Sequence, residues 1–378
     1  MSKPQLPRPI GCRSKPNGRP AALLRPVVFG LLISLGLPQA NAQELACDGQ
    51  PPPAVVAEDL RSPPNPDGPT AVRAGMFVDD LRDLDAVTAS FRFRGILTVT
   101  WCDPRLAFDA AEAGTGEKVM IGEAAAVEIE RIFFARGFPV NQIEPPRITE
   151  RVLRIASDGS VSSDLNVSIL LKANYDLRRF PFDRQQLQLI VESFVWDASQ
   201  LQFVPDKDMT GFAETFDIPE WTITGVRADV STVDVIRSSE PFSRLTLTVD
   251  VKRKSGFYLW KVLLPLFIIV ALSWSIFWML DEKFGIRVRT SATGILTVVA
   301  YQFVAGQNLP RVGYLTLIDK IMVISFLLLA ITVLESYLVS RYGEDERDQA
   351  HRIDRAARWA FPLTYASLIA IAFFTTPG

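Results

Sequence analysis

An all-β sandwich lying outside the cytoplasm, followed by an all-α membrane-spanning bundle of four helices, is the fold class predicted by three observations. A basic, then apolar N-terminus ends in small residues; short alternating runs fill the middle of the chain; four long apolar segments fill its last third. Of 378 residues, 48% are hydrophobic and 22% charged, with the hydrophobicity concentrated at the two ends. This divides a water-facing part from a membrane part.

At the N-terminus Arg13, Lys15, Arg19 and Arg25 precede the apolar run Pro26 to Leu37, and Ala40-Asn41-Ala42 follows. That order predicts a signal peptide over residues 1–42, cut after Ala42. The mature chain then begins outside the cytoplasm, where Cys47 and Cys102 meet an oxidising compartment if the host is a Gram-negative bacterium. A bridge between them and two separate thiols both remain open. Residues 43–69 are rich in proline with few apolar anchors and read as an extended lead-in.

From Met76 to about Arg253 the runs Ser90 to Thr100, Asn166 to Leu171, Gln186 to Val191 and Arg244 to Val251 alternate apolar and polar residues. Turn signals at Asp158-Gly159 and Pro205-Asp206 separate them, which predicts a sandwich of roughly ten strands. One short helix is expected within Glu123 to Phe134. The sandwich domain is set at 70–253 and the membrane domain at 254–378.

The four spans are expected near 257–280, 285–307, 321–339 and 359–374. Lys283, Arg287 and Arg289 mark the first inter-span connection, and Arg341, Arg347, Arg352, Arg355 and Arg358 the third, as cytoplasmic; Glu344, Asp345, Glu346, Asp348 and Asp354 dilute the second signal. The span from Gly285 to Pro310 differs from the others. If helical, Arg289, Thr293, Leu296, Ala300, Phe303 and Gln307 recur at steps of four and three and share one face. Such a polar seam must face a bundle interior or water rather than lipid. It is a pore-lining pattern, or a stripe packed on neighbouring helices of the same chain.

Several chemistries are excluded. The single histidine, His351, falls in the cytoplasmic connection, so the external part has no histidine for a zinc site, a Ser/His/Asp triad or a Cys/His pair. No phosphate-binding glycine loop is present, and carboxylate pairs such as Asp79 and Asp80 are ordinary in sandwich loops. No metal, cofactor or enzymatic activity is expected. The net charge of -2 offers no reason to expect nucleic acid.

The segment Tyr175 to Leu187, YDLRRFPFDRQQL, carries Phe180-Pro181-Phe182-Asp183 with Gln185. It resembles the signature loop of pentameric ligand-gated ion channels, the Cys-loop receptor family. Trp101-Cys102-Asp103-Pro104-Arg105-Leu106 is similar to the family's Trp-x-Asp strand; Arg253 precedes the first span, and Pro265 lies within it. Gly285 to Gln307 is similar to the pore helix, and Asn308-Leu309-Pro310-Arg311 to the loop after it. FYLW from Phe257, LTVVAY from Leu296 and AFP from Ala360 resemble prokaryotic members of the amine-gated type. Two departures stand out: Ala173 and Leu187 occupy the positions of the family's paired cysteines, and the Trp-x-Pro-Asp motif expected near Val127 to Glu130 is missing.

The resemblance implies a homopentamer, each chain joined by four identical subunits, in a bacterial inner membrane with the N-terminal domain in the periplasm. Ligand bound between neighbouring sandwiches would open an axial pore, and rings of Leu296 and Phe303 would close it at rest. It implies that Phe182, Asp183, Arg253, Pro310 and Arg311 couple ligand site to pore. An Asp183–Arg253 pair would either serve that coupling or merely hold the two parts together. For the ligand, Glu192, Phe194 and Trp196 should share one face of a strand, with Phe242 at the start of another. Aromatic rings with a carboxylate suit an amine agonist. Trp196 also reads as sandwich core, and Trp221 is assigned to the core. Cation-passing relatives carry an acidic residue at the cytoplasmic mouth; here Gly285-Ile286-Arg287-Val288-Arg289 has none, so anion passage is favoured over cation passage. Alternatively, Arg287 points away from the axis and pairs with Asp281 or Glu282, while Arg289 snorkels to the interface. The rival reading is a membrane-anchored sensor of the same fold that does not conduct.

Overall fold

The computed structural model describes Cys47 and residues 59–213, 218–235, 238–278, 284–306, 312–340 and 347–377. The expected signal peptide, most of the proline-rich lead-in, and Gln307, Pro310 and Arg311 lie outside these residues.

Alternating hydrophobicity folds into two sheets. One has the order β3 (Glu117–Ile121), β5 (Arg147–Ala156), β6 (Ser160–Lys172), β2 (Ser90–Cys102), β1 (Thr70–Asp85) and β8 (Leu201–Pro205), with β9 (Gly211–Phe212) also paired to β1. The other has the order β10 (Trp221–Val233), β11 (Phe242–Arg253), β7 (Arg184–Ser193) and β4 (Gly137–Pro139). Every second residue points inward: Val167, Ile169 and Leu171 on β6 face Leu187 and Leu189 on β7 and Leu245, Leu247 and Val249 on β11 across the core. Trp101 is buried edge-on against Phe133 and Phe134. The Asp158-Gly159 signal is the β5–β6 turn, with Gly159 at φ 90°, where a side chain would be strained.

Helix α1 (Ala110–Ala113) is a single turn, and α2 (Glu123–Ile129) ends short of the expected Phe134. It stops because Ile132 and Phe133 turn into the core, a demand that overrides helical continuation. The structure decides the cysteine question. Cys47 and Cys102 form a disulfide with Cα atoms 5.7 Å apart, fastening the lead-in to the end of β2.

The first membrane segment, Gly256–Trp278, is composite: α3 (Gly256–Tyr258), a π-helical turn (Leu259–Leu263), α4 (Leu264–Ser273) and a 3₁₀ end (Trp274–Trp278). Pro265 lacks the N–H that would meet the Lys261 carbonyl. The hydroxyl of Tyr301 replaces it, donating to the carbonyls of Val262 at 2.7 Å and Lys261 at 3.2 Å. Tyr301 belongs to α5 (Phe284–Gly306), which packs between α4 and α6 (Leu317–Ser340); α6 in turn packs on α7 (Arg347–Thr375). Gly294 of α5 lies so close to Ser273 that a Cβ there would run into the Ser273 side chain.

Three of the segments, Gly256–Trp278, Leu317–Val339 and His351–Thr375, are long and apolar enough to cross a membrane. Helix α5 is long enough, at 23 residues or about 35 Å, but its arginines and its seam of threonines lower its apolar character. Helix α7 begins well before the expected Trp359, so His351 and Asp354 are helical rather than in a loop. Its amphipathic start buries Asp354 and Ala357 against the bundle.

Replacing both Cys47 and Cys102 with alanine should cost roughly 2 to 4 kcal/mol, because the bridge closes a long loop of the unfolded chain. Thermal unfolding of the full chain in detergent, with and without reductant, measures this. Reductant should lower the melting temperature of the parent and leave the double variant unmoved.

Candidate functional site

Three groups of residues carry the chemistry, taken here from the outer end inward. At the end of β7, Glu192 is only 5% exposed and its carboxylate accepts from Arg244 Nε at 2.7 Å across the β7–β11 pair. Strand β7 stops at Ser193, so Phe194 and Trp196 lie in the loop that follows rather than on one strand face with Glu192. Burial of the adjacent residues Glu192 and Ser193 breaks the alternation that the shared-face expectation required. Phe194 is 57% exposed, its ring 5.8 Å from that of Phe138, whereas Trp196 packs on Phe133 at 6.1 Å. Phe242 is buried where β11 begins. Among the described residues, Glu192 pairs with Arg244, Phe194 meets Phe138 and Trp196 meets Phe133. The stretch Val127 to Glu130, where the Trp-x-Pro-Asp motif is missing, holds the last turn of α2.

The second group joins sandwich and helices. In the loop between β6 and β7 the Tyr175 hydroxyl donates to the Ser90 carbonyl at 3.0 Å; burial pushes this phenol well above its ordinary range. Asp183 at the loop's end is buried, and receives Arg253 Nε at 2.8 Å and Nη2 at 3.1 Å, with Gln185 Nε2 at 2.7 Å. The guanidinium also lies over Trp221 at 4.0 Å and Phe180 at 4.8 Å. A bidentate pair between aromatic faces retains its geometry when buried. The same loop touches the helices. Phe180 meets Tyr258 edge-on at 4.6 Å and Phe182 meets Phe373 at 5.7 Å. The Leu177 N–H donates to the Tyr314 hydroxyl, the Leu317 N–H to the Arg178 carbonyl, and Arg179 Nε to the Thr376 carbonyl at 3.0 Å.

The third group is α5, which has two chemically different faces. Arg289, Thr293, Leu296, Ala300 and Phe303 are exposed in the single chain, Leu296 at 69% and Phe303 at 75%. Arg287, Ser291, Gly294, Val298 and Ala305 are buried against the other helices. Arg287 does point away from the exposed seam, but its partners are Asp354 of α7, at 2.9 and 2.6 Å, and Glu335 of α6, at 3.4 Å. Asp281 and Glu282 lie outside the described residues.

Tyr314 ends the loop from Pro310 that the resemblance assigned to the joint; the residues that sequence reading passed over are others holding these groups: Arg244, Phe138, Ser273, Tyr301, Glu335 and Asp354. A signal existed for two of them. Glu335 is a carboxylate inside the apolar run Ile321 to Val339, where a charge needs a partner, and Arg287, Gly294 and Tyr301 recur at a strict seven-residue spacing. The others depend on strands and helices far apart in the chain.

The model of the neurotransmitter-gated ion-channel ligand binding domain matches residues 58–255, more than half of the chain. The chain belongs to this family, which is pentameric and whose members are ligand-gated ion channels rather than enzymes. It is similar to a proton-gated ion channel of Gloeobacter violaceus, 27% identical over 332 residues that make up 85% of this chain and 89% of the relative. A gamma-aminobutyric acid receptor subunit beta of Caenorhabditis elegans is 31% identical over 191 residues, 50% of this chain and 34% of that one. A pH-sensitive chloride channel 2 of Anopheles gambiae is 25% identical over 259 residues, 66% of this chain and 42% of that one.

Arg253→Gln should leave Asp183 as a buried charge without a cation and destabilise the chain by roughly 3 to 5 kcal/mol. Adding Asp183→Asn should return part of that loss. Melting temperatures of the two variants in detergent check the order; a double variant no more stable than the single one would contradict the assignment.

Proposed function

We propose that the chain assembles with four identical copies as a ligand-gated anion channel of a bacterial inner membrane, with α5 lining an axial pore and residues 70–253 in the periplasm. The observation that carries this reading is the face of α5 left uncovered by its own subunit. Arg289, Thr293, Leu296, Ala300 and Phe303 form one stripe, with the other arginine, Arg287, turned into the bundle and met by carboxylates. Five such stripes around an axis would set Arg289 as a ring at the cytoplasmic end and Leu296 and Phe303 as apolar rings above it. Neighbouring Arg289 side chains would repel by about 2 kcal/mol at about 8 Å and an effective dielectric near 20, a field that draws anions and rejects cations. Apolar rings would close the resting pore by dewetting. A relative named for chloride conduction supports the anion reading, and the proton-gated relative supports conduction as such.

In this reading Phe182, Asp183 and Arg253 transmit ligand binding to α5 through the contacts of the β6–β7 loop with Tyr258, Tyr314 and Phe373; Pro310 and Arg311, outside the described residues, are assigned the same role by the resemblance alone. The agonist is a small amine held by ring faces near Phe194 and Phe138. Glu192 contributes no free carboxylate, because Arg244 occupies it. The signal peptide over 1–42, the lead-in over 43–69 and the membrane domain over 254–378 belong to the same proposal.

A reversal potential under a salt gradient in bilayers tests the pore. It should follow the chloride equilibrium value, and Arg289→Glu should move it toward that of the cations; a parent channel already at the sodium or potassium value refutes anion passage. Leu296→Ser should wet the apolar constriction and give constitutive current or a lower agonist requirement, whereas unchanged activation excludes Leu296 as the gate. Phe194→Ala should weaken an amine agonist by roughly 1 to 2 kcal/mol, read as a shift of the concentration–response curve. An unshifted curve would remove the amine from the proposal.

A further inference from the structure

Two arginines stand two residues apart at the inner end of α5, and on a helix their side chains diverge by about 200°. The local sequence Gly285-Ile286-Arg287-Val288-Arg289 does not say which of them its own subunit buries. The tertiary structure does. Arg287 is 3% exposed and grips Asp354, itself 1% exposed, through both Nη atoms at 2.9 and 2.6 Å, while Nη2 also reaches Glu335 at 3.4 Å. The two carboxylates come from different helices, α7 and α6, so the contact holds α5 from two sides.

Farther along α5 the same face is held in two other ways. Gly294 is in close contact with Ser273, and the Tyr301 hydroxyl is seated on the carbonyls near the Pro265 kink. Arg287, Gly294 and Tyr301 are spaced by sevens, as are Arg289, Leu296 and Phe303 on the opposite face. The middle and outer anchors depend on shape and one hydroxyl. The inner anchor alone is ionic, and it lies within one turn of Arg289.

We propose that Asp354 and Glu335 are positioning residues for ion selectivity: by holding Arg287 in the bundle, they fix the rotation of the inner end of α5 and present Arg289 to the permeating ion. This rests on the reading of α5 as the pore helix. Without the carboxylates, Arg287 is an uncompensated cation among apolar helices and is driven toward water, which turns Arg289 off the axis. The outer anchors remain, so Phe303 keeps its orientation.

The test measures the reaction of single introduced thiols with an anionic thiosulfonate in full-length channels reconstituted in liposomes, alongside the reversal potential. The native Cys47 and Cys102 are already joined, and the third cysteine, Cys12, is replaced by serine throughout. In the otherwise native channel Arg289→Cys, Leu296→Cys and Phe303→Cys should react. Adding Asp354→Asn with Glu335→Gln should slow Arg289→Cys roughly tenfold or more while leaving Phe303→Cys unchanged, and without the introduced thiol it should shift the reversal potential. Asp354→Glu, which keeps the charge, should preserve both. Unchanged reactivity at Arg289→Cys together with an unchanged reversal potential overturns the proposal. Should the double variant not assemble, the exchange Arg287→Asp with Asp354→Arg decides: recovery of assembled channels with reactive Arg289→Cys supports the clamp, and no recovery overturns it. If Leu296→Cys and Phe303→Cys are unreactive in the otherwise native channel, the pore-helix reading itself fails, a result distinct from failure of the clamp.

Discussion

The ion pair of Asp183 and Arg253 is the contact on which the two halves of this chain depend. Arg253 is the last residue of β11 and stands just before the first membrane segment; Asp183 ends the loop that reaches down from the sandwich. Burying both charges is tolerable only because each is fully engaged, the carboxylate by Arg253 and Gln185, the guanidinium also by the faces of Trp221 and Phe180. Around that fixed point the aromatic contacts of Phe180 and Phe182 bring the loop onto α3 and α7. Sandwich and helices thus meet at one buried, fully paired group.

Helix α5 solves a related problem within the helical bundle. It carries two arginines and several hydroxyls, too polar to face lipid on all sides. The threonine hydroxyls are turned onto their own helix, Thr293 to the Arg289 carbonyl and Thr297 to the Thr293 carbonyl, each at 2.8 Å. One arginine is neutralised by neighbours and the other is left on the uncovered face. The division follows from three anchors of different chemistry, an ion pair, a close backbone approach and a hydroxyl on freed carbonyls, placed along one face.

The outer aromatic region is where strand logic failed, for a specific reason. Alternation along a strand predicts a shared face only while the strand continues, and β7 ends at Ser193. Glu192 then pairs with Arg244 on β11, a partner 52 positions away that no local pattern announces. Of the expected aromatic group, Phe194 is the most exposed, and its neighbour Phe138 comes from β4 at the sheet edge.

Much of the architecture was legible in the chain by itself because it depends on local periodicity. Alternation marks strands, long apolar runs mark spans, and steps of four and three gather Arg289, Leu296 and Phe303 on one helical face whatever the surroundings. The pairing of Asp183 with Arg253 was expected as well, but only because the family resemblance places the two side by side. Tertiary structure alone decided which partner each charge takes: Arg287 with Asp354 and Glu335 rather than with nearby acids, Glu192 with Arg244, Cys47 with Cys102. The reason is physical. Periodicity follows from covalent geometry and travels with the sequence, whereas the partner of a buried charge is set by which elements pack together, and that is a property of the whole fold.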